Sequence, residues 1–498
     1  MFYISTRGGG ARVTSAQTIT RGISEDGGLF VPPEIPRISA DDIKMLSTLD
    51  YKSRAKFILP LYLTDFSGDE INKCVDSAYS CESFGSEKTA PVVRLEEGVS
   101  ILELWKGPTC AFKDMALQLL PHLLAVSAKK AADGKKIVIL VATSGDTGKA
   151  ALEGFRDVPD TKIAVFFPND GVSPMQRLQM TTQEGGNVFV QAIKGNFDDA
   201  QNGVKSIFAD KEANERLAQR GMMFSSANSI NWGRLVPQIV YYISAYCDLV
   251  ADKSIKNGDK INIVVPTGNF GNILAAYYAR EMGLPVNKLI CASNKNNVLT
   301  DFISTGRYDR RRDFFVTSSP SMDILISSNL ERLLFLLCGY DGAQVRSWMK
   351  SLSDTGAYDV GEHLKEKIGT IFDAGCCDDE GTKALIKKVF ESRGYLCDTH
   401  TAVAVDVYYK YRERTGDKTP AVIASTASPF KFCSSVLDAL DARAKEKLDE
   451  FQMLDALEKL TGVPCPPQLK ELKNKTVRFG GVCELGDMKQ TVIKSVVG

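Results

Sequence analysis

The sequence predicts an α/β protein with two open, mainly parallel twisted sheets flanked by helices. Three observations carry the expectation. Short runs rich in Val and Ile alternate with longer helical stretches from about 113 to 293, the spacing of βαβ units. Most of those runs are apolar at every position, as strands buried between two helix layers must be. Gly- or hydroxyl-rich turns follow three of them, at the strand ends where open α/β sheets bind ligands.

Taken in order, residues 1–95 mix short strands with helical stretches over 41–49, 51–63 and 67–79, and read as an N-terminal cap domain. Residues 96–260 form an α/β region. It opens with an apolar helix over 112–132, kinked at Pro121 and stopped by Asp133-Gly134, and continues through strands at 137–141, 163–167 and 188–193. Helices are expected from 147 and over 197–219 and 232–251. Residues 261–445 form a larger α/β domain, with strands at 261–265, 289–292 and 420–425 and a charged helical insertion over 296–395. Residues 446–498 form a C-terminal tail.

Composition narrows the function classes. The 498 residues are 44% hydrophobic and 24% charged, which supports a large core and excludes wholesale disorder. Lys plus Arg number 61 and Asp plus Glu 61. Without a basic excess, neither nucleic acid nor an anionic membrane is an expected partner. The twelve cysteines never fall at C-x-x-C spacing and there are only three histidines, so no metal site is expected. The chain starts without an apolar signal core, and scattered thiols read as reduced cytoplasmic cysteines.

The first ligand-type turn is Thr143-Ser-Gly-Asp-Thr-Gly148, where small residues admit backbone N–H groups to a ligand and a helix N-terminus follows. It reads equally as an ordinary capped turn. The second is Pro266-Thr-Gly-Asn-Phe-Gly-Asn272, whose glycines and following helix can hold a phosphate without a basic side chain. It is not G-x-G-x-x-G, which disfavours a dinucleotide. The third, Ser425-Thr-Ala-Ser-Pro429, is commonplace alone but could converge with the others on one crevice. Lys113 begins the most apolar helix, flanked by Phe112 and Met115. Desolvation there favours the neutral amine, the form that makes a Schiff base. A carbonyl cofactor bound through phosphate fits, which points to pyridoxal 5′-phosphate (PLP).

Phe112-Lys113-Asp114, Thr143–Gly148 and Gly268-Asn-Phe-Gly-Asn272, in this order, resemble the threonine synthases of the PLP-dependent β-family (fold type II). Ser5-Thr-Arg-Gly8, Asp26-Gly-Gly-Leu-Phe-Val-Pro32 and Ser226-Ala-Asn-Ser-Ile-Asn-Trp232 add to the likeness, which runs from about residue 2 to about 435. The resemblance implies that Lys113 forms the Schiff base with PLP and moves protons during catalysis. It implies that Gly268, Asn269, Phe270, Gly271 and Asn272 cradle the cofactor phosphate and that Thr426 meets the ring nitrogen. Thr143, Ser144, Asp146 and Thr147 would receive the substrate carboxylate, and Asn228, Ser229 and Arg234 its phosphate. Asp146 departs from sulfhydrylase-like relatives, which carry Asn there, and its role stays open. On this reading the 96–260 region carries the PLP lysine and a smaller mobile substrate-side domain, and 261–445 is the cofactor-binding domain. The implied reaction is a lyase step of threonine biosynthesis that converts O-phospho-L-homoserine and water to L-threonine and phosphate by γ-elimination and β-addition. A related phospho-lyase or dehydratase releasing a 2-oxoacid is the alternative, and a non-catalytic binding module a more remote one. Neither the oligomeric state nor an effector is legible in the residues.

Overall fold

Two sheets organise the chain, and the ligand-type turns lie at the ends of their strands. The computed structural model describes residues 1–86, 88–143, 145–170, 172–443 and 447–497, so Ser144, one of the expected ligand residues, lies outside them. The larger sheet runs in the order Phe372–Cys376, Val286–Ser293, Ile261–Pro266, Ala421–Ser425, Val99–Glu103, Val92–Glu96. All neighbours are parallel except the last pair. The smaller sheet is parallel throughout, in the order Val482–Cys483, Val188–Ile193, Thr161–Pro168, Lys136–Ala142, Met222–Ser225. The central strands are buried along their length, as their unbroken apolar runs require. The stretch 96–260 thus feeds both sheets.

The helix expected over 112–132 is two helices, Asp114–Leu117 and Leu120–Ala131. Pro121 is the cause: it has no N–H for the Leu117 carbonyl, and its ring crowds that same oxygen. The vacated carbonyl becomes a seat for the neighbouring helix Asp146–Phe155, where a Cβ on Gly154 would fall 1.9 Å from Leu117 O. Contact at that range needs glycine, and it holds the two helices together beside Lys113. The helix expected over 197–219 is also two, Phe197–Ala209 and Lys211–Ala218. Asp210 divides them, because its carboxylate accepts the Ala213 N–H as the N-cap of the second.

Helix Trp232–Ala251 is the buried axis of the protein, and the N-terminal segments wrap its first turns. The Trp232 ring lies 5.2–5.6 Å from the rings of Tyr3, Tyr62 and Tyr278, a tilted and edge-on cluster drawn from three segments. Arg54 donates to the Ser244 carbonyl and hydroxyl and pairs with Asp248 at 2.6 Å, fixing the second half. The stretch 296–395 contributes the edge strand Phe372–Cys376 and a small antiparallel pair, Arg307–Asp309 with Ala357–Asp359. The tail adds strand Val482–Cys483 to the smaller sheet and packs Met488, Val492 and Val496 into that sheet's core. No helix among the described residues is long and apolar enough to cross a membrane.

Replacing Gly154 with Ala forces the Leu117 backbone away. The expected cost is about 1–3 kcal/mol of stability, the usual price of overpacking. Denaturant unfolding of Gly154→Ala beside wild type measures it, and an unchanged midpoint would contradict the close approach.

Candidate active site

Lys113 stands in a loop that is stitched to the end of strand Ala421–Ser425. The Phe112 N–H donates to the Thr426 carbonyl at 2.8 Å, and the Ser428 N–H donates to the Cys110 carbonyl at 3.0 Å. Asp114 closes the loop from within, accepting the Thr109 N–H at 2.8 Å and the Thr109 hydroxyl at 2.6 Å. Burial pushes the Asp114 carboxyl up to about 6, against the pull of those two bonds. The backbone therefore places Thr426, which is buried, beside the lysine the sequence singled out.

The Lys113 side chain is 11% exposed, and its Nζ lies 3.7 Å from Asp146 Oδ2 and 3.1 Å from Ser321 Oγ. Burial draws its amine below the usual lysine range; Asp146 opposes that shift, and Lys431 and Arg234 reinforce it. Asp146 is the first residue of helix Asp146–Phe155, and its other oxygen pairs with Lys431 Nζ at 2.8 Å. Burial works against ionisation of Asp146, yet Lys431 and Lys113 together hold it well below the ordinary carboxylate range. Lys431, its side chain only 1% exposed, also donates to the Thr109 carbonyl at 2.9 Å. Thr143 is occupied inside its own turn, where its hydroxyl accepts the Gly145 and Gly148 N–H groups, each at 3.0 Å. Gly145 adopts φ 151° and Thr147 is half-buried on the helix's first turn.

The turn Gly268–Asn272 has the form of an anion cradle. Phe270 takes a left-handed conformation at φ 61°, no side chain caps helix Gly271–Met282, and the Leu274 N–H to Phe270 carbonyl bond is the first of the helix. The N–H groups of Gly271, Asn272 and Ile273 are left for a ligand. Ser327, Asn329 and Ser321 brace the turn from outside: Ser327 Oγ donates to the Gly268 carbonyl, Asn329 Nδ2 to the Asn269 carbonyl, and the Ser321 carbonyl lies where a Gly268 Cβ would go. Asn269 itself is exposed. Tyr241 and Tyr242 both donate to Asn272 Oδ1, which leaves the buried Asn272 Nδ2 without a partner among the described residues.

Arg234 is 4% exposed on the first turn of helix Trp232–Ala251. Asn231 caps that helix through the Gly233 N–H, so Asn228 and Ser229 lie just before it, exposed and half-buried. Arg234 donates to the Ala227 carbonyl at 2.9 Å, and its Nε has no partner among the described residues. Burial pulls its guanidinium down to about 10 with no carboxylate to offset the loss of water. An anion would. Arg332 clamps the same loop: fully buried, it donates to the Ile230 carbonyl at 2.6 Å, the Phe30 carbonyl at 2.9 Å and Asn329 Oδ1.

Lys431, Ser321, His400, Gln238 and Arg332 escaped the sequence reading. Lys431 carried a signal, since Phe430 and Phe432 flank it much as Phe112 and Met115 flank Lys113. Gln238 links Arg234 to the Gly268–Asn272 turn, its Nε2 donating to the Arg234 carbonyl and its Oε1 lying 3.0 Å from the Tyr241 hydroxyl. No spacing in the chain announces that bridge.

Known proteins match the chain along its length. The family profile for the threonine synthase N terminus matches residues 2–79, that for pyridoxal-phosphate dependent enzymes 89–426, and that for the threonine synthase C-terminal region 401–492. The chain is similar to "threonine synthase-like 1" of Homo sapiens, at 41% identity over 449 residues, 88% of this chain and 59% of that protein. It therefore spans about three fifths of the length of that relative. It is 37% identical to the threonine synthase of Schizosaccharomyces pombe over 469 residues, 88% of this chain and 89% of the other. The crystal structure of PLP-bound threonine synthase from Brucella melitensis superposes with a TM-score of 0.89 at 36% identity, covering 100% of both chains.

Lys431→Met tests the charge balance. Lys431 is one of the groups that lower the proton affinity of Lys113, and it shares Asp146 with it. Its removal takes a positive charge from beside Lys113 and leaves Lys113 the one lysine paired with Asp146 among the described residues, so Lys113 holds its proton to higher pH. The pH at which the Lys113 amine becomes half reactive towards an amine-modifying reagent, read by peptide mapping, should move upward in the variant. A downward or absent shift would contradict the arrangement.

Proposed function

The chain belongs to the threonine synthase family of PLP-dependent enzymes, and from that premise we propose that it converts O-phospho-L-homoserine and water to L-threonine and phosphate. The observation that carries the reading is Arg234, a buried guanidinium with an unpartnered nitrogen and no carboxylate, on a helix that Gln238 and Tyr241 link to the Gly268–Asn272 cradle. A buried guanidinium with a nitrogen unpartnered among the described residues, and a helix N-terminus with N–H groups open to a ligand, suit two phosphates, one on the substrate and one on the cofactor.

Lys113, Thr426 and the Gly268–Asn272 turn are the residues proposed to hold PLP. The orphaned Asn272 Nδ2 and the uncapped helix N-terminus fit its phosphate. When bound, PLP supplies a carbonyl for Lys113 and a conjugated ring that takes up negative charge from the substrate carbons. The chain supplies position and protons. Lys113, whose amine is desolvated towards its neutral form, takes the proton from the substrate Cα and returns one there at the end. Arg234, with Asn228 and Ser229, grips the γ-phosphate and stabilises the charge that gathers on it as the C–O bond breaks. The Thr143–Thr147 turn receives the α-carboxylate at the N-terminus of helix Asp146–Phe155. Asp146 would repel that carboxylate on its own; paired with Lys431 it does not. Thr426 offers the ring nitrogen a neutral hydroxyl, which does not enforce ring protonation.

Amino-acid chromatography of a reaction with O-phospho-L-homoserine tests the proposal. Threonine and phosphate should appear in equal amounts; accumulation of 2-oxobutyrate would mark a phospho-lyase instead. Arg234→Ala should lose a charge-assisted contact worth about 2–5 kcal/mol in kcat/KM while PLP content stays that of wild type. Unchanged kcat/KM would remove Arg234 from the phosphate site, and lost PLP would reassign it to the cofactor.

A further inference from the structure

Lys113 is reached by a second chain of hydrogen bonds, separate from its pair with Asp146, that the proposed reaction does not use. Ser321, in the short helical turn Pro320–Met322, accepts from Lys113 Nζ at 3.1 Å, and its main-chain N–H donates to His400 Nε2 at 3.1 Å. His400 is 2% exposed and Asp398 1%. Because Nε2 accepts, the ring proton sits on Nδ1, which faces Asp398 Oδ1 at 2.9 Å. Asp398 is itself fixed: it caps helix Thr399–Thr415 through the His400 and Thr401 N–H groups and accepts the Thr401 hydroxyl. The His400 ring rests edge-on against Phe432, 4.9 Å between centroids, beside Lys431.

We infer that the Asp398–His400 pair is a positioning device for Lys113, acting through Ser321. A carboxylate orients an imidazole, the imidazole fixes one backbone N–H, and that residue's hydroxyl holds the amine. The same backbone turn places the Ser321 carbonyl against Gly268, but the cradle's edge has its own brace in Ser327, which does not pass through His400. His400 reaches the amine through Ser321 and not by a hydrogen bond of its own to Lys113. An amine left free to swing loses the alignment that bond formation needs, and misplacement by about 1 Å costs as much as about 100-fold in rate.

The inference rests on Lys113 as the lysine that holds PLP, and its test keeps the two apart. His400→Gln presents an amide oxygen near the position of Nε2 and can still accept from Ser321. His400→Asn reaches only as far as Nδ1 and leaves the Ser321 N–H without its acceptor. Two quantities are read on the apoenzymes: affinity for 4′-deoxypyridoxine 5′-phosphate, which lacks the aldehyde and cannot bond to lysine, and the rate at which added PLP acquires the visible absorption of its lysine adduct. The analogue should bind all three proteins alike. Adduct formation should slow about 10–100-fold in His400→Asn and stay within about threefold of wild type in His400→Gln. Equal slowing in both variants, a wild-type rate in His400→Asn, or loss of analogue affinity in step with the rate would each overturn the positioning role. Persistence of the adduct band in Lys113→Ala would instead overturn the choice of lysine, whatever His400 does.

Discussion

A single aspartate, Asp146, lies buried between two lysines, and the active-site arrangement follows from that contact. A carboxylate out of water needs a partner, and here it has two at unequal range, Lys431 at 2.8 Å and Lys113 at 3.7 Å. At an effective dielectric of about 20, the nearer pair is favoured by about 1.4 kcal/mol. Lys431 is the counter-ion, further tied to the Thr109 carbonyl. Lys113 is the looser cation, its amine drawn towards neutrality by burial. One carboxylate thus pairs unequally with two lysines, holding Lys431 as its counter-ion and leaving Lys113, on the proposed reading, as the nucleophile.

That contact depends on close packing between segments far apart in the chain. Asp146 opens a helix of the smaller sheet's layer, Lys113 follows a strand of the larger sheet, and Lys431 follows another. Gly154 lets the Asp146 helix approach the Leu117 carbonyl that Pro121 had stripped of its partner. Behind the Gly268–Asn272 turn, Arg332 joins Phe30, Ile230 and Asn329, linking the N-terminal block, the Arg234 loop and that turn's brace through one buried guanidinium. The stretch 296–395 carries Ser321, Asn329 and Arg332, so it supplies the back wall of the site.

What could be read from the chain was whatever lay in local pattern. Strand Val188–Ile193 and helix Trp232–Ala251 coincide with their expected bounds, the strand as a short apolar run with alternating burial and the helix as a long, almost wholly buried one. The edge strands Met222–Ser225 and Val482–Cys483 are too short to carry a period. Lys113 was visible through its apolar neighbours, and the three turns through their glycines and hydroxyls. The same criterion, applied to Phe430-Lys431-Phe432, would have found the counter-ion. Ser321 and His400 had no such mark. They are 79 residues apart, and only the fold brings the Ser321 N–H to the His400 ring.

Borohydride reduction of the PLP-loaded enzyme, followed by peptide mapping, tests this division of labour directly. Two buried lysines flank Asp146, and reduction fixes the cofactor to whichever one it occupies. The account predicts label on the peptide containing Lys113 and none on the peptide containing Lys431. Label on Lys431 would show that the closer ion pair, not the looser one, yields the nucleophile, and the electrostatic account of the site would fail.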